Sequence, residues 1–139
     1  MRLVQRPYSN PIPERLRAEA QAVLKDYYAL STTAQRQHRA RLDRQWRASR
    51  RYLTEPLMEL FRGKCAYCES KIGPTADVEI DAFRPVSASG LDGSGSTEHY
   101  QWLRVEWENL YPACPACNRA KRGLFPVDGP RAEIGTPIE

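Results

Sequence analysis

A chain of 139 residues is long enough for one domain with a modest hydrophobic core, and its low mean hydropathy agrees with that. Its charge is unevenly spread: 14 Lys and Arg face 6 Asp and Glu up to Lys64, whereas 7 face 11 from Cys65 onward. No apolar run approaches the roughly 20 residues that span a bilayer, and Met1 to Pro13 lacks the apolar core of a signal peptide, so a cytoplasmic protein with no membrane partner is expected.

In chain order, Asn10-Pro11-Ile12-Pro13 reads as a helix entry, with proline tolerated in the first turn. Glu14 to Leu30 is predicted as a helix, because Leu16, Ala20, Val23, Leu24, Tyr27 and Tyr28 recur at helical spacing. Ser31-Thr32-Thr33 is a break and a natural N-cap. The next predicted helix, Ala34 to Leu53, aligns Leu42, Trp46 and Leu53 on one face. Arg36, Arg39, Arg41, Arg44, Arg47, Arg50 and Arg51 cover much of the rest, and Asp43 is the sole acid among them. Such a surface suits a nucleic-acid backbone or an acidic protein partner; its plain reading is a solvated helix face. A third helix is predicted over Glu55 to Phe61, ended by Gly63.

Beyond Cys65, Val78, Ile80 and Ala82 alternate with Glu79 and Asp81, which predicts a strand over Ala76 to Phe83. Ser87 to Thr97 is rich in Gly and Ser and is expected as a flexible loop. Glu98 to Trp107 reads as a short amphipathic helix, Asn109 to Pro112 as an extended piece, and Asn118 to Gly123 as the start of a last helix. No periodicity follows Val127. Trp46, Trp102 and Trp107 are expected in the core, His99 in a structural role and His38 in solvent.

The sharpest local signal is Cys65-Ala-Tyr-Cys68 with Cys114-Pro-Ala-Cys117. Two residues between cysteines let both sulfurs face one ion from a tight turn, and two such turns complete a tetrahedral thiolate shell around Zn²⁺. A full shell has no open position for water, so this Zn²⁺ is expected to be structural. The competing reading is a pair of disulfides or a redox site, but thiols stay reduced in the cytosol.

Between and beside these knuckles lie Glu79-Ile80-Asp81-Ala82-Phe83-Arg84-Pro85, Glu108-Asn109-Leu110 and Cys117-Asn118-Arg119-Ala120-Lys121. Together they resemble an HNH endonuclease, whose pattern has an acid-His pair on a first strand, an Asn on the following loop and His or Asn on a final helix. The match falls on Asp81, Asn109 and Asn118; the departure is Ala82, where the family places its His. Trp102 to Pro112, the CPACNRAK run and Phe125-Pro126-Val127 are similar to a branch of HNH proteins found in phage-defence operons, of Septu type or retron-linked, which act beside an ATPase. The resemblance runs from about Phe61 to Ala132. Members of that branch are generally longer, so the expectation is a chain truncated at Glu139.

The resemblance implies an α+β fold: a ββα-metal core with a four-Cys zinc site over 61–132, a basic helical extension over 1–60, and a tail over 133–139. It implies hydrolysis of DNA or RNA phosphodiesters as part of an antiviral assembly with an ATPase partner. Asp81 and Asn118 would hold a catalytic Mg²⁺ or Mn²⁺, because a hard cation takes oxygen ligands and keeps several waters. A His at position 82 would take the proton from water, and Asn109 would orient it. Arg84, Arg119 and Lys121 flank these residues and are candidate nucleic-acid contacts. Ala82 supplies no base, so the chain is expected to be inactive or strongly impaired. An engineered His→Ala change is the simplest origin, and a natural pseudoenzyme the other. The alternative function is a non-catalytic zinc-binding module for nucleic-acid recognition, or an adaptor.

Overall fold

The computed structural model describes residues 4–6, 9–74, 76–86 and 99–138, with the side chain of Thr32 left aside. The predicted loop over Ser87 to Thr97 lies outside the described residues. Among the described residues, four helices and a two-stranded sheet make an α+β fold: α1 (Glu14–Leu24), α2 (Thr32–Arg50), α3 (Thr54–Leu60), β1 (Glu79–Ala82), β2 (Leu110–Ala113) and α4 (Pro115–Lys121).

The first helix is shorter than its periodicity predicts. It ends at Leu24, and Tyr27–Ala29 form a separate 3₁₀ turn that buries Tyr27. Extended backbone at Leu30 and Ser31 then resets the chain, and the Ser31 hydroxyl accepts from the Ala34 N–H at 3.3 Å. That bond supplies one of the orphan donors of α2 with a partner. Helices α1 and α2 pack against each other, and α3 packs on β2. After α3 the backbone turns left-handed at Arg62 and Gly63, and the Gly63 N–H bonds to the Met58 carbonyl at 2.8 Å. This tight reversal delivers Cys65.

One core joins the helical part to the strand pair. Leu16, Ala20, Leu42, Leu53 and Leu57 pack with Val105, Trp107 and Leu110, and all are buried. Trp46 is half-buried at its edge. A second, smaller cluster of Cys65, Ile72 and Ala113 lies under the cysteine turns. The strands are antiparallel, with Asp81 opposite Tyr111 and Ala82 opposite Leu110.

The sequence from Glu98 to Trp107 departs from the predicted helix; Glu98 is outside the described residues. Gln101–Leu103 and Trp107–Asn109 are two 3₁₀ turns, separated by extended backbone at Glu106. The physical reason is burial. Val105 and Trp107 are both buried on either side of half-buried Glu106, and alternate residues share a side only in extended chain. The last helix also differs: it begins at Pro115, three residues before Asn118, because the Cys114 sulfur accepts from the Cys117 N–H at 3.4 Å and caps it. Among its described residues the chain beyond Val127 has no helix or strand, yet it packs. The His99 ring bonds to the Ala132 carbonyl at 2.8 Å, and Trp102 Nε1 donates to the Thr136 carbonyl at 3.1 Å.

Candidate metal centre and adjoining cavity

The two cysteine turns are brought together by backbone bonds. The Ala66 N–H reaches the Pro112 carbonyl on β2 at 2.8 Å, and Glu69 N–H closes the first turn onto the Cys65 carbonyl at 3.0 Å. The sulfurs of Cys65, Cys68, Cys114 and Cys117 all lie within 4.8 Å of one another. None is in a disulfide. Cys68 and Cys114 sulfurs are 3.9 Å apart, against about 2.05 Å for a bonded pair. A tetrahedral shell with Zn–S bonds of about 2.3 Å places its sulfurs about 3.8 Å apart. The four cysteines therefore form a site able to hold a metal such as zinc.

The thiols are electrostatically unlike one another. Cys68 is lowered to about 6, because Ser70 hydrogen-bonds favour its thiolate. Cys117 is pushed up to about 12, first by burial and then by the neighbouring thiols. Sulfurs this close cannot all ionise together unless a cation offsets their charge.

Strand β1 divides two faces. Ile80 and Ala82 pack toward the main core, while Asp81 is buried on the other side. The Tyr67 hydroxyl, from the middle of the first cysteine turn, donates to Asp81 Oδ2. Lys121 Nζ, from the end of α4, sits 3.0 Å from the same oxygen and donates to the Ala82 carbonyl at 3.0 Å. Burial, and then the bond to Asp81, raise the Tyr67 pKa, so the phenol remains a donor. Among the described residues no donor meets Asp81 Oδ1.

The Asn118 side chain bonds to Glu79 rather than to Asp81: its Nδ2 donates to Glu79 Oε2. A carboxylate only accepts, so Glu79 fixes the amide with its NH₂ inward and leaves the carbonyl oxygen for another partner. Asn109 is buried and clamps the chain after β1. Its Oδ1 accepts from the Arg84 N–H at 2.8 Å, and its Nδ2 donates to the Arg84 carbonyl at 3.0 Å. The Phe83 N–H adds a bond to the Asn109 carbonyl at 2.8 Å.

A cavity of about 370 Å³ joins these groups. Asp81, Ala82 and Asn118 line it together with Arg39, Asp43 and Trp46 of α2. Arg104 and Arg122 also reach it. Arg104 is buried, with Nη1 2.9 Å from Asp43 and Nε 3.0 Å from Gln101, whose amide in turn donates to the Val86 carbonyl at 2.6 Å. The structure thus brings Asp81, Ala82 and Asn118 to one space. Asn109 lies behind it as a clamp.

Of the candidate nucleic-acid contacts, Arg119 is exposed, Arg84 is half-buried and Lys121 is engaged with Asp81. His99 is held against Tyr100, Trp102 and the tail, outside the cavity lining. His38 is half-buried rather than in open solvent, bonded to the Ala34 carbonyl at 2.8 Å. Sequence reasoning missed Tyr67, Glu79, Arg104 and Arg122. A polar aromatic inside a cysteine turn and an arginine within an apolar run, Trp102-Leu-Arg-Val105, were the available signals for two of them.

No family model matches the chain, and no solved structure matches it. It is similar to Septu protein PtuB of Bacillus mycoides (strain KBAB4), 38% identical over 86 residues, which are 60% of this chain and 29% of that protein. It is also similar to Septu protein PtuA of the same strain, 42% identical over 76 residues, 53% of this chain and 11% of that protein. A Septu protein PtuB of Bacillus thuringiensis is 31% identical over 71 residues, 50% of this chain and 23% of that protein. The chain therefore spans less than a third of the curated relatives it matches. No helix among the described residues is long and apolar enough to cross a membrane.

Proposed function

We propose that this chain is a metal-dependent nuclease domain of HNH type, serving anti-phage defence beside an ATPase, with its general-base position vacated at Ala82. The observation that carries this reading is the cavity in which Asp81, Ala82 and Asn118 meet a wall of arginines. The similarity to Septu proteins supports the defence role.

The donor set fits a hard divalent ion. Asp81 presents an oxygen with no protein donor among the described residues, and the amide orientation of Asn118 frees a second. When bound, Mg²⁺ or Mn²⁺ neutralises charge building on phosphoryl oxygens and assists the leaving group. The protein's own residues would do the rest. Arg39 and Arg122 line the same cavity and would hold a phosphate there. Asn109 fixes the chain beyond position 82 and so fixes the direction of a side chain there. A His at 82 would take the proton from the attacking water; an alanine leaves that proton without an acceptor. The four-cysteine site, closed by its own sulfurs, holds the strand pair and α4 in register rather than reacting.

Ala82→His is the direct test. The variant is expected to cleave plasmid DNA or RNA in the presence of Mn²⁺ or Mg²⁺ at least about 10²-fold faster than the parent. A second change, Asp81→Ala, should abolish that gain. Cleavage no faster than the parent would leave the second reading, a zinc-stapled nucleic-acid-binding module, which the alanine at position 82 itself favours.

A further inference from the structure

Tyr67 belongs to neither the sulfur shell nor the HNH pattern, yet it is placed between them. It sits in the middle of the first cysteine turn, half-buried against the small cluster of Cys65, Ile72 and Ala113. Its hydroxyl points the other way and donates to Asp81. That bond and the Lys121 ammonium both fall on Oδ2. A carboxylate held at one oxygen by two donors cannot rotate, so its other oxygen keeps one direction.

We propose that Tyr67 is a positioning residue, which transmits the rigidity of the zinc turn to the Asp81 carboxylate and so presents Oδ1 to the divalent cation. This rests on the reading of Asp81 as a cation ligand given above. The mechanism is one of orientation. Partners behind a metal ligand set its direction, and losing one typically weakens binding about 10–100-fold. It also gives the cysteine site a role beyond folding: a loosened knuckle would release the tyrosine and then the carboxylate. Lys121 alone does not define the direction, because a lysine ammonium is a point charge on a flexible stem, whereas a phenol is rigid and its turn is anchored at both ends by sulfur.

The test is Tyr67→Phe in the zinc-loaded full chain, with Mn²⁺ binding followed by loss of the free-ion EPR signal and zinc measured in the same samples. The parent should bind one Mn²⁺ per chain beside its zinc; the variant should keep its zinc and bind Mn²⁺ about 10-fold more weakly. In the Ala82→His background, the same change should raise the Mg²⁺ concentration for half-maximal cleavage and leave the rate at saturating Mg²⁺ nearly intact, whereas a general structural lesion would lower the saturated rate. Equal Mn²⁺ affinity in parent and variant overturns the proposal while leaving the cation site standing. A variant that loses zinc also overturns it, since the hydroxyl would then act on the knuckle. No Mn²⁺ binding by the parent overturns the cation site itself, and the two failures are thereby told apart.

Discussion

The molecule is stabilised by different means at its two ends. Around α1, α2 and α3, apolar side chains do the work: Leu42, Leu53 and Leu57 are fully buried and join Trp107 and Leu110 in one core. Around the cysteine turns the apolar cluster is only Cys65, Ile72 and Ala113, with partly buried neighbours. The strand pair leans on the main core through Ile80, Ala82 and Leu110, but a cluster that small cannot offset the chain entropy of ordering two cysteine turns and a seven-residue helix. The comparison teaches where a metal would contribute most, at the end whose four sulfurs are placed to hold one. The proposed cation site lies on the seam, with Asp81 tied to the cysteine end through Tyr67 and the cavity closed by α2 from the other.

Removing the metal should break this comparison most severely. Structural zinc in small peptides supplies apparent binding energies of about 10–16 kcal/mol, so Cys117→Ser or strong chelation should unfold the cysteine end. Hydrogen exchange should show protection lost in 79–82 and 110–121 and largely retained in α1 and α2. A uniform loss along the chain would mean that the two ends are one cooperative unit. The pH dependence has a definite sign. With Cys117 pushed up to about 12, its thiol carries a proton at neutral pH in the metal-free cluster, and binding zinc expels it. Affinity should therefore fall as pH falls, and more steeply below about 6, where Cys68 must also lose a proton to bind. A zinc-competition titration across pH 5 to 8, corrected for the competitor's own protons, reads this directly.

The second test acts on the apolar end. Leu42→Ala removes a fully buried side chain and should cost about 2–5 kcal/mol by denaturant unfolding. Its zinc content should stay at one per chain. A loss of zinc on this substitution would show that the oil core, not the sulfur shell, sets the geometry of the cysteine turns.

The contrast also explains what the sequence could tell. The cysteine pairs were legible because each needs only neighbouring residues at a fixed spacing. The helices α2 and α3 were legible because their periodicity and breaks are local. The groups around Asp81 were not. Tyr67 meets Asp81 across 14 residues, Asp43 meets Arg104 across 61, and Glu79 meets Asn118 across 39. Nothing in the residues themselves announces such pairings; the strand register and the cysteine turns create them. The resemblance to HNH enzymes drew attention to Asp81, Asn109 and Asn118, but not to the tyrosine and carboxylate that hold them. The misread helix before Trp107 failed for a related reason. Its apolar spacing suits a helix, but burial of Val105 and Trp107 together selects extended backbone between them.

The smallest expected effect isolates the local term at the apolar end. Ser31 is exposed, and its oxygen accepts from Ala34 at the first turn of α2. Ser31→Ala leaves every buried contact in place and removes only that cap, which should cost about 1 kcal/mol. The bond is long at 3.3 Å, so the cost should lie at or below this value. Urea unfolding of parent and variant, with zinc saturating, measures it, since the slope should not change and only the midpoint should shift. The same substitution in zinc-free protein sharpens the comparison further. If the helical end folds independently of the metal, the cost should be unchanged there; if it shrinks, α2 is held in place by the cysteine end as well as by its own core.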